Sequence, residues 1–270
     1  FQPGEEVFAG ARAMVQEGLF ERFPVESVYA LHNWPTLPAG TVGLNAGAMM
    51  AAADRVTIVV AGRGGHGAHP YQTVDPVLVA GHIITAVQSI VSRNVRAIDS
   101  AVISLCAMQA GDLSAMSVVP GEATLVGTVR TFSVAVQDLV ERRLVELCKA
   151  VAHGFGAQAT VKFERMYPAT INSEREARFA QDVATALVGA DRVISDLEPS
   201  MGSEDFSFML QARPGAYLRL GQGPANAGVA VPLHNVRYDF NDAVLPLGAA
   251  LFAGLVEQGL KPLPGETQAN

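Results

Sequence analysis

The chain has 270 residues, 49% hydrophobic and 17% charged, with 26 Asp+Glu against 19 Lys+Arg and a net charge of −7. That balance excludes intrinsic disorder, which needs low hydrophobicity and high net charge. The net acidity argues against a general nucleic-acid binder, which needs a basic excess to neutralise phosphates. Two cysteines exclude a disulfide scaffold and point to a reducing, cytoplasmic setting. No run of about 18 apolar residues escapes a charge or a Pro/Gly break, so no membrane span is expected.

In chain order, Val7–Glu17 reads as a helix stopped by Gly18. Apolar stretches at Ser27–His32 and Thr41–Leu44 follow as strands, and Asp54–Ala61, rich in β-branched residues, is a stronger one. Glycines at 62, 64, 65 and 67 and Pro70 end it. Val77–Ser92 is a helix with Ala80, Ile83, Ile84, Val87 and Val91 at helical spacing. Strands at Ala101–Ala107 and Ala123–Thr131 come next. A long helix at Val136–Phe155 carries Leu139, Val140, Leu144, Leu147, Val151 and Phe155 on one stripe. Thr160–Phe163 closes this set as a strand. Beyond it lie a helix near Ser173–Val188, a strand near Ala216–Leu220 and a helix at Ala243–Gly259 opened by Asp242 and Pro246.

The elements from Asp54 to Arg165 run β-α-β-β-α-β, the order of a ferredoxin-like domain, and about 110 such residues can bury their own core. The flanks hold only pieces of α/β pattern. The economical reading is an α/β domain, residues 1–50 and 166–270, interrupted by a ferredoxin-like insertion at 51–165.

Several residues carry potential chemistry. Glu5-Glu6 at a helix start is either a pair of first-turn acids complementing the helix dipole or a general base beside a metal ligand. His32 at a strand end and His234 before the last helix suit metal ligation, although their spacing matches no metal-binding motif. Gly62-Arg63-Gly64-Gly65-His66-Gly67 matches the dinucleotide fingerprint formally. No helix opens directly after it and no acid lies about 20 residues on, so a loop presenting His66 is the better reading than a nucleotide-binding oxidoreductase. Arg130, at a strand end, is either a solvated charge or a bidentate carboxylate clamp. Glu204 lies in a polar turn where Ser203 and the acids can also serve as a helix cap. Cys106 and Cys148 sit among apolar residues and read as core. No G-x-S-x-G or C-x-x-C sequence is present.

Six segments occur in a fixed order: Phe1-Gln2-Pro3-Gly4-Glu5-Glu6, Leu31-His32-Asn33-Trp34-Pro35, Gly64-Gly65-His66-Gly67-Ala68-His69-Pro70, Gly127-Thr128-Val129-Arg130, Met201-Gly202-Ser203-Glu204-Asp205-Phe206, and His234 through Asp242. Together they resemble the dimetal amidohydrolases that include hippurate hydrolase and the auxin–amino-acid conjugate hydrolases, a branch related to aminoacylases and carboxypeptidase G. The resemblance runs from Phe1 to about Leu260.

The resemblance implies that Glu5 is the general base and that Glu6, His32 and His234 are metal ligands. His66, from the inserted lid or dimerisation domain, would stabilise the oxyanion, reaching the partner subunit's site. Arg130 and Glu204 would lie near the substrate. Ser117 occupies a substrate-contact position where the family often has Asn. The family's Cys and His ligands lie in a Gly-Cys-Gly-His-Asp-type motif that nothing in this chain matches, so the catalytic domain is expected to be incomplete at its N-terminus. The implied activity is hydrolysis of N-acyl amino acids with two divalent ions (Zn, Mn, Co or Ni), in a homodimer joined through residues 51–165. No nucleic-acid or membrane partner is implied. The competing expectation is a non-catalytic dimerisation or binding remnant of such an enzyme.

Overall fold

The structure, a computed structural model, describes residues 3–7, 10–223 and 230–260. After a 3-10 turn at Glu5–Val7 come α1 (Gly10–Gln16), α2 (Leu19–Arg22), β1 (Val28–Trp34), β2 (Val42–Gly43) and β3 (Gly47–Met50). The middle of the chain forms β4 (Ala52–Ala61), β5 (Gly65–His66), α3 (Pro76–Ala86), α4 (Gln88–Asn94), β6 (Ala101–Ala110), β7 (Val118–Val119), β8 (Glu122–Thr131), α5 (Val134–Gly154) and β9 (Gln158–Tyr167). The chain continues through β10 (Thr170–Asn172), α6 (Glu174–Val188), β11 (Val193–Ile194), α7 (Ser207–Ala212), β12 (Gly215–Gly221) and α8 (Leu245–Gly259). These elements fall into two compact units. The first comprises Phe1–Met49, Thr170–Ser200 and Asp205–Asn270, and the second Met50–Ala169 with Met201–Glu204.

The second unit is built on a four-stranded sheet in the order β6-β8-β4-β9, every neighbouring pair antiparallel. Its main elements run β4, α3–α4, β6, β8, α5, β9. Val56, Ile58 and Val60 alternate along β4 and point into the core, as the two-residue strand period requires. Val79, Ala80, Ile83, Val87 and Ile90 from α3 and α4 meet them, with Val136, Val140, Leu144, Cys148 and Ala152 from α5. Ser133 caps α5 by accepting a hydrogen bond from the Val136 amide at 3.3 Å. Asp75 does the same for α3 at the Val77 amide, 2.8 Å, just ahead of Pro76.

The first unit holds a four-stranded sheet, β1-β12-β2-β11, in which β1 and β12 run parallel over seven residue pairs. β12 is buried along its whole length. Leu218, Leu220 and Ala216 on one face pack with Leu251 and Leu255 of α8 and with Ala180, Val183 and Ala184 of α6. A two-stranded sheet of β3 and β10 completes the strands of this unit. Asn172 of β10 locks it to β12: its side-chain amide donates to the carbonyls of Asn45 (2.9 Å) and Tyr217 (3.0 Å) and accepts from the Tyr217 amide at 2.7 Å.

Several expectations are corrected. The first helix is a 3-10 turn and then Gly10–Gln16; positions 8 and 9, and Phe1 and Gln2 of the first motif, lie outside the described residues. Gly18 does end that helix in the left-handed region, at φ 86°. The helix expected over Val77–Ser92 is interrupted at Val87. There the hydroxyls of Thr85 and Ser89 donate back to the carbonyls of His82 and Ala86, the local competition that bends helices. Pro76–Asn94 as a whole is long and apolar enough by length and composition to cross a membrane, although Gly81 and Arg93 interrupt its apolar run. Its apolar stripe lies in the core of the second unit, which explains the composition.

On α5 the buried stripe is Val136, Val140, Leu144, Cys148 and Ala152, one position per turn. Phe155 is exposed and stacks on His82 at 4.6 Å. Cys106 is exposed rather than core. It sits at the β-bulge between Leu105 and Ala107 where β6 slips against β8, which takes it out of the inward alternation.

Candidate active site

The first unit gathers carboxylates and imidazoles at the ends of short elements. Glu5 and Glu6 begin the 3-10 turn, Glu5 half-buried and Glu6 exposed. The stretch before them is held by Gly10: a Cβ there would meet the Pro3 carbonyl oxygen at 1.9 Å and Asp205 Oδ2 at 2.8 Å. Only glycine permits that approach. The Asp205 carboxylate is fully buried and accepts a hydrogen bond from the Ala11 amide at 2.7 Å, at the start of α1. Glu5 and Asp205 each offer a carboxylate oxygen within 4.8 Å of the other. Glu204, bonded to Asp205 through the chain, is buried too.

Glu6 and His234 are brought together, with Glu6 Oε1 3.7 Å from His234 Nδ1. His234 has φ 63° and is the one non-glycine residue with positive φ among the described residues. Such strain persists only where surrounding structure holds it. The Asn235 amide donates to the Pro232 carbonyl at 3.3 Å across His234, and a network around Gln222 anchors the segment that follows. Asn33 Nδ2 donates to Gln222 Oε1 at 3.2 Å and to the Tyr238 hydroxyl, and the Tyr238 hydroxyl donates to Gln222 Oε1 at 3.1 Å. Asn241 Nδ2 donates to the Gln222 carbonyl at 2.9 Å. The segment bearing His234 is thus tied to the residue that follows His32.

His32 lies on the face of β1 opposite to Leu31. Its Nδ1 donates to the Asn33 carbonyl at 2.7 Å, because a carbonyl can only accept. That fixes the tautomer and leaves the Nε2 lone pair for a metal ion. Its ring packs against Trp34 (5.8 Å, edge-on) and Tyr217 (6.3 Å). Beside it on β12 lies Arg219, only 3% exposed, whose desolvation lowers its guanidinium pKa, the Tyr217 phenol opposing the shift. Carboxylate plus imidazoles is a donor set that Zn, Mn, Co and Ni accept. In donor type these residues suit a divalent ion, and two of them, Glu6 and His234, stand 3.7 Å apart, with His32 linked to that pair through Asn33 and Tyr238.

In the second unit, His66 and Ser117 are brought together. β5 pairs antiparallel with β7, His66 opposite Val118, and the Gly67 amide donates to the Ser117 carbonyl at 2.7 Å. The glycine loop makes this turn and does not open a helix. A Cβ on Gly62 would meet the Val74 carbonyl oxygen at 2.1 Å where the chain crosses itself before α3. The His66 ring is exposed, 5.5 Å from that of His69. Arg130 of β8 is half-buried, with Nε donating to the Thr128 hydroxyl at 3.1 Å. Burial lowers its pKa, and the Asp54 carboxylate opposes the shift.

Asp205, Gln222, Tyr238 and Arg219 were not singled out from the sequence. Asp205 had a visible signal, its place in the acidic pair with Glu204. Gln222 and Arg219 had none, since their partners lie far away in the chain.

The profile of Peptidase family M20/M25/M40 matches residues 1–258. Hippurate hydrolase of Campylobacter jejuni is 37% identical over 261 residues, covering 97% of this chain and 66% of that protein. N-acetylcysteine deacetylase of Bacillus subtilis is 34% identical over 255 residues, 94% of this chain and 64% of the relative. Among solved structures, the Bacillus subtilis YxeP protein, described as a dinuclear metal-binding peptidase of the M20 family, superposes with a TM-score of 0.79 at 30% identity, over 97% of this chain and 65% of that one. The chain thus spans just under two thirds of the length of these relatives. On this match, the chain belongs to Peptidase family M20/M25/M40.

Proposed function

We propose that the protein carrying this sequence is a metal-dependent amidohydrolase that cleaves the amide bond of N-acyl amino acids. The observation that carries the reading is the meeting of Glu6 with His234 at 3.7 Å in a segment tethered to the residue beside His32. The names of the relatives, a hippurate hydrolase and an N-acetylcysteine deacetylase, support this substrate class.

In this reading Glu6, His32 and His234 hold divalent metal. The dinuclear centre named for the Bacillus subtilis neighbour supports two ions. Held by these residues, divalent ions would supply Lewis acidity that activates a water and polarises the acyl carbonyl. Glu5 takes the proton of the attacking water and returns it to the leaving amine. His66 donates to the oxyanion, a charge that develops only in the transition state. Arg130 clamps the substrate carboxylate through its planar fork, with Ser117 and Glu204 nearby. Residues 1–50 and 166–270 form the catalytic domain, and 51–165 a ferredoxin-like lid. The lid also joins two copies: β6 is an edge strand with Met108 exposed, and Leu113, Met116 and Val118 are exposed in the segment after it.

The test is Glu5→Gln. Released amino acid is measured from N-benzoylglycine and N-acetyl amino acids, with metal content determined in parallel. The expected outcome is unchanged metal and a loss of about 10²–10⁴ in kcat. Ordinary turnover by the variant would refute the assignment of Glu5.

A further inference from the structure

Strand alternation divides β1 and β12 into two faces. Leu31, Leu218 and Leu220 face the packed core of α6 and α8. His32, Trp34, Tyr217 and Arg219 share the opposite face. The parallel register sets His32 directly beside Arg219. An arginine 3% exposed at this position is costly to desolvate, and a Leu or Met would fill the volume without that cost.

The guanidinium is held in three directions. Nη2 donates to the Met49 carbonyl at 3.1 Å, and Nη1 to the Glu198 carbonyl at 3.4 Å. Its carbon lies 3.8 Å from the centre of the Trp34 ring, a close cation–π stack in a desolvated setting. Trp34 in turn meets the His32 ring edge-on at 5.8 Å. The imidazole is therefore held through Nδ1 by the Asn33 carbonyl and through its ring by Trp34 on one side and Tyr217 on another.

We propose that Arg219 is a positioning residue for His32: anchored on the Met49 and Glu198 carbonyls, it fixes the plane of Trp34, whose ring sets the orientation in which His32 Nε2 meets a metal ion. The proposal rests on the reading of His32 as a metal ligand. Groups that orient metal-bound imidazoles affect affinity by about 10–100-fold when removed. Trp34 is the sole tryptophan of the chain, so its emission reports on this stack without interference.

The test uses the 270-residue chain, Arg219→Met and His32→Ala. Zn²⁺ affinity is measured by competition with a chromogenic chelator, Trp34 emission is followed during the titration, and far-UV circular dichroism confirms folding. Arg219→Met is expected to bind Zn²⁺ about tenfold more weakly and to lose the emission response. A protein destabilised but otherwise unaltered would keep both. If His32→Ala weakens binding while Arg219→Met stays within about twofold of the parent, the positioning role is overturned and the ligand reading stands. If His32→Ala binds as the parent does, the ligand reading falls and the proposal with it. Should Arg219→Met not fold, Trp34→Leu, which leaves Arg219 on its two carbonyls, takes its place with the same threshold.

Discussion

The two units solve different problems with the same residue alphabet. The second is a set of four ten-residue strands under three helices, and its interior is almost wholly aliphatic. Its sheet buries the carboxylate of Asp54, satisfied at 2.8 Å by Gln137. The first has two seven-residue strands beside two-residue ones, and it buries Asn172, Glu176, Asp205, Arg219 and Gln222. Long uniform ladders make a frame that stands on burial. Short strands that stop early leave ends where polar side chains can be gathered, and these then need specific hydrogen bonds to be held. The candidate ligands Glu6, His32 and His234 all belong to that second kind of architecture.

The contrast can be broken by deletion in each unit. Leu125→Ala in β8 removes a fully buried side chain from the aliphatic frame. It is expected to cost about 2–5 kcal/mol in urea unfolding, with a wild-type environment of Trp34. A loss under about 1 kcal/mol would mean the frame can collapse around the cavity.

Asp54 gives a pH-dependent version. Burial raises its carboxyl from an ordinary 3.8 to about 6, against the Gln137 hydrogen bond and the charges of Arg165 and Arg130, with Glu141 adding to the rise. A folded-state pKa above the unfolded value favours the native state while the group is protonated. That contribution, about 3 kcal/mol, is complete below pH about 4 and lost as pH rises through about 6. Asp54→Asn should flatten this part of the pH–stability profile, so its advantage over the parent grows from pH 4 to 7. Parallel profiles for the two proteins would show that Asp54 titrates normally.

The smallest effect sharpens the comparison from the other side. Asn172→Ala in the first unit leaves the Tyr217 amide and the carbonyls of Asn45 and Tyr217 without their side-chain partner. We expect about 2–3 kcal/mol from so few atoms, because buried polar groups left unsatisfied carry their full desolvation cost. A loss comparable to an exposed polar deletion, about 0.5 kcal/mol, would remove the distinction between the units.

The same difference governs what could be read in advance. β4, β6, β8, β9 and α5 are legible because each repeats its period several times, although every one of these four strands runs further than its sequence pattern suggested. The two-to-four-residue strands β3, β5, β7, β10 and β11 and the short helices α2 and α7 were not found, since so few residues carry no period. Cys106 misled because a bulge resets alternation without leaving a mark in composition. At the candidate site the reacting types, Glu5, Glu6, His32 and His234, were visible. Their supports were not: Asn33 and Gln222 are 189 positions apart, and Arg219 and Met49 are 170 apart.

One detail of the sheet in the second unit has an evolutionary side. Ala53 near the start of β4 lies opposite Tyr167 near the end of β9, so the segment that enters this unit and the one that leaves it run as neighbours. A module whose ends emerge side by side can be gained, exchanged or shed at one point of a host chain, with a short linker closing the gap. Recombination can then vary the inserted module while leaving the path of the host strands untouched.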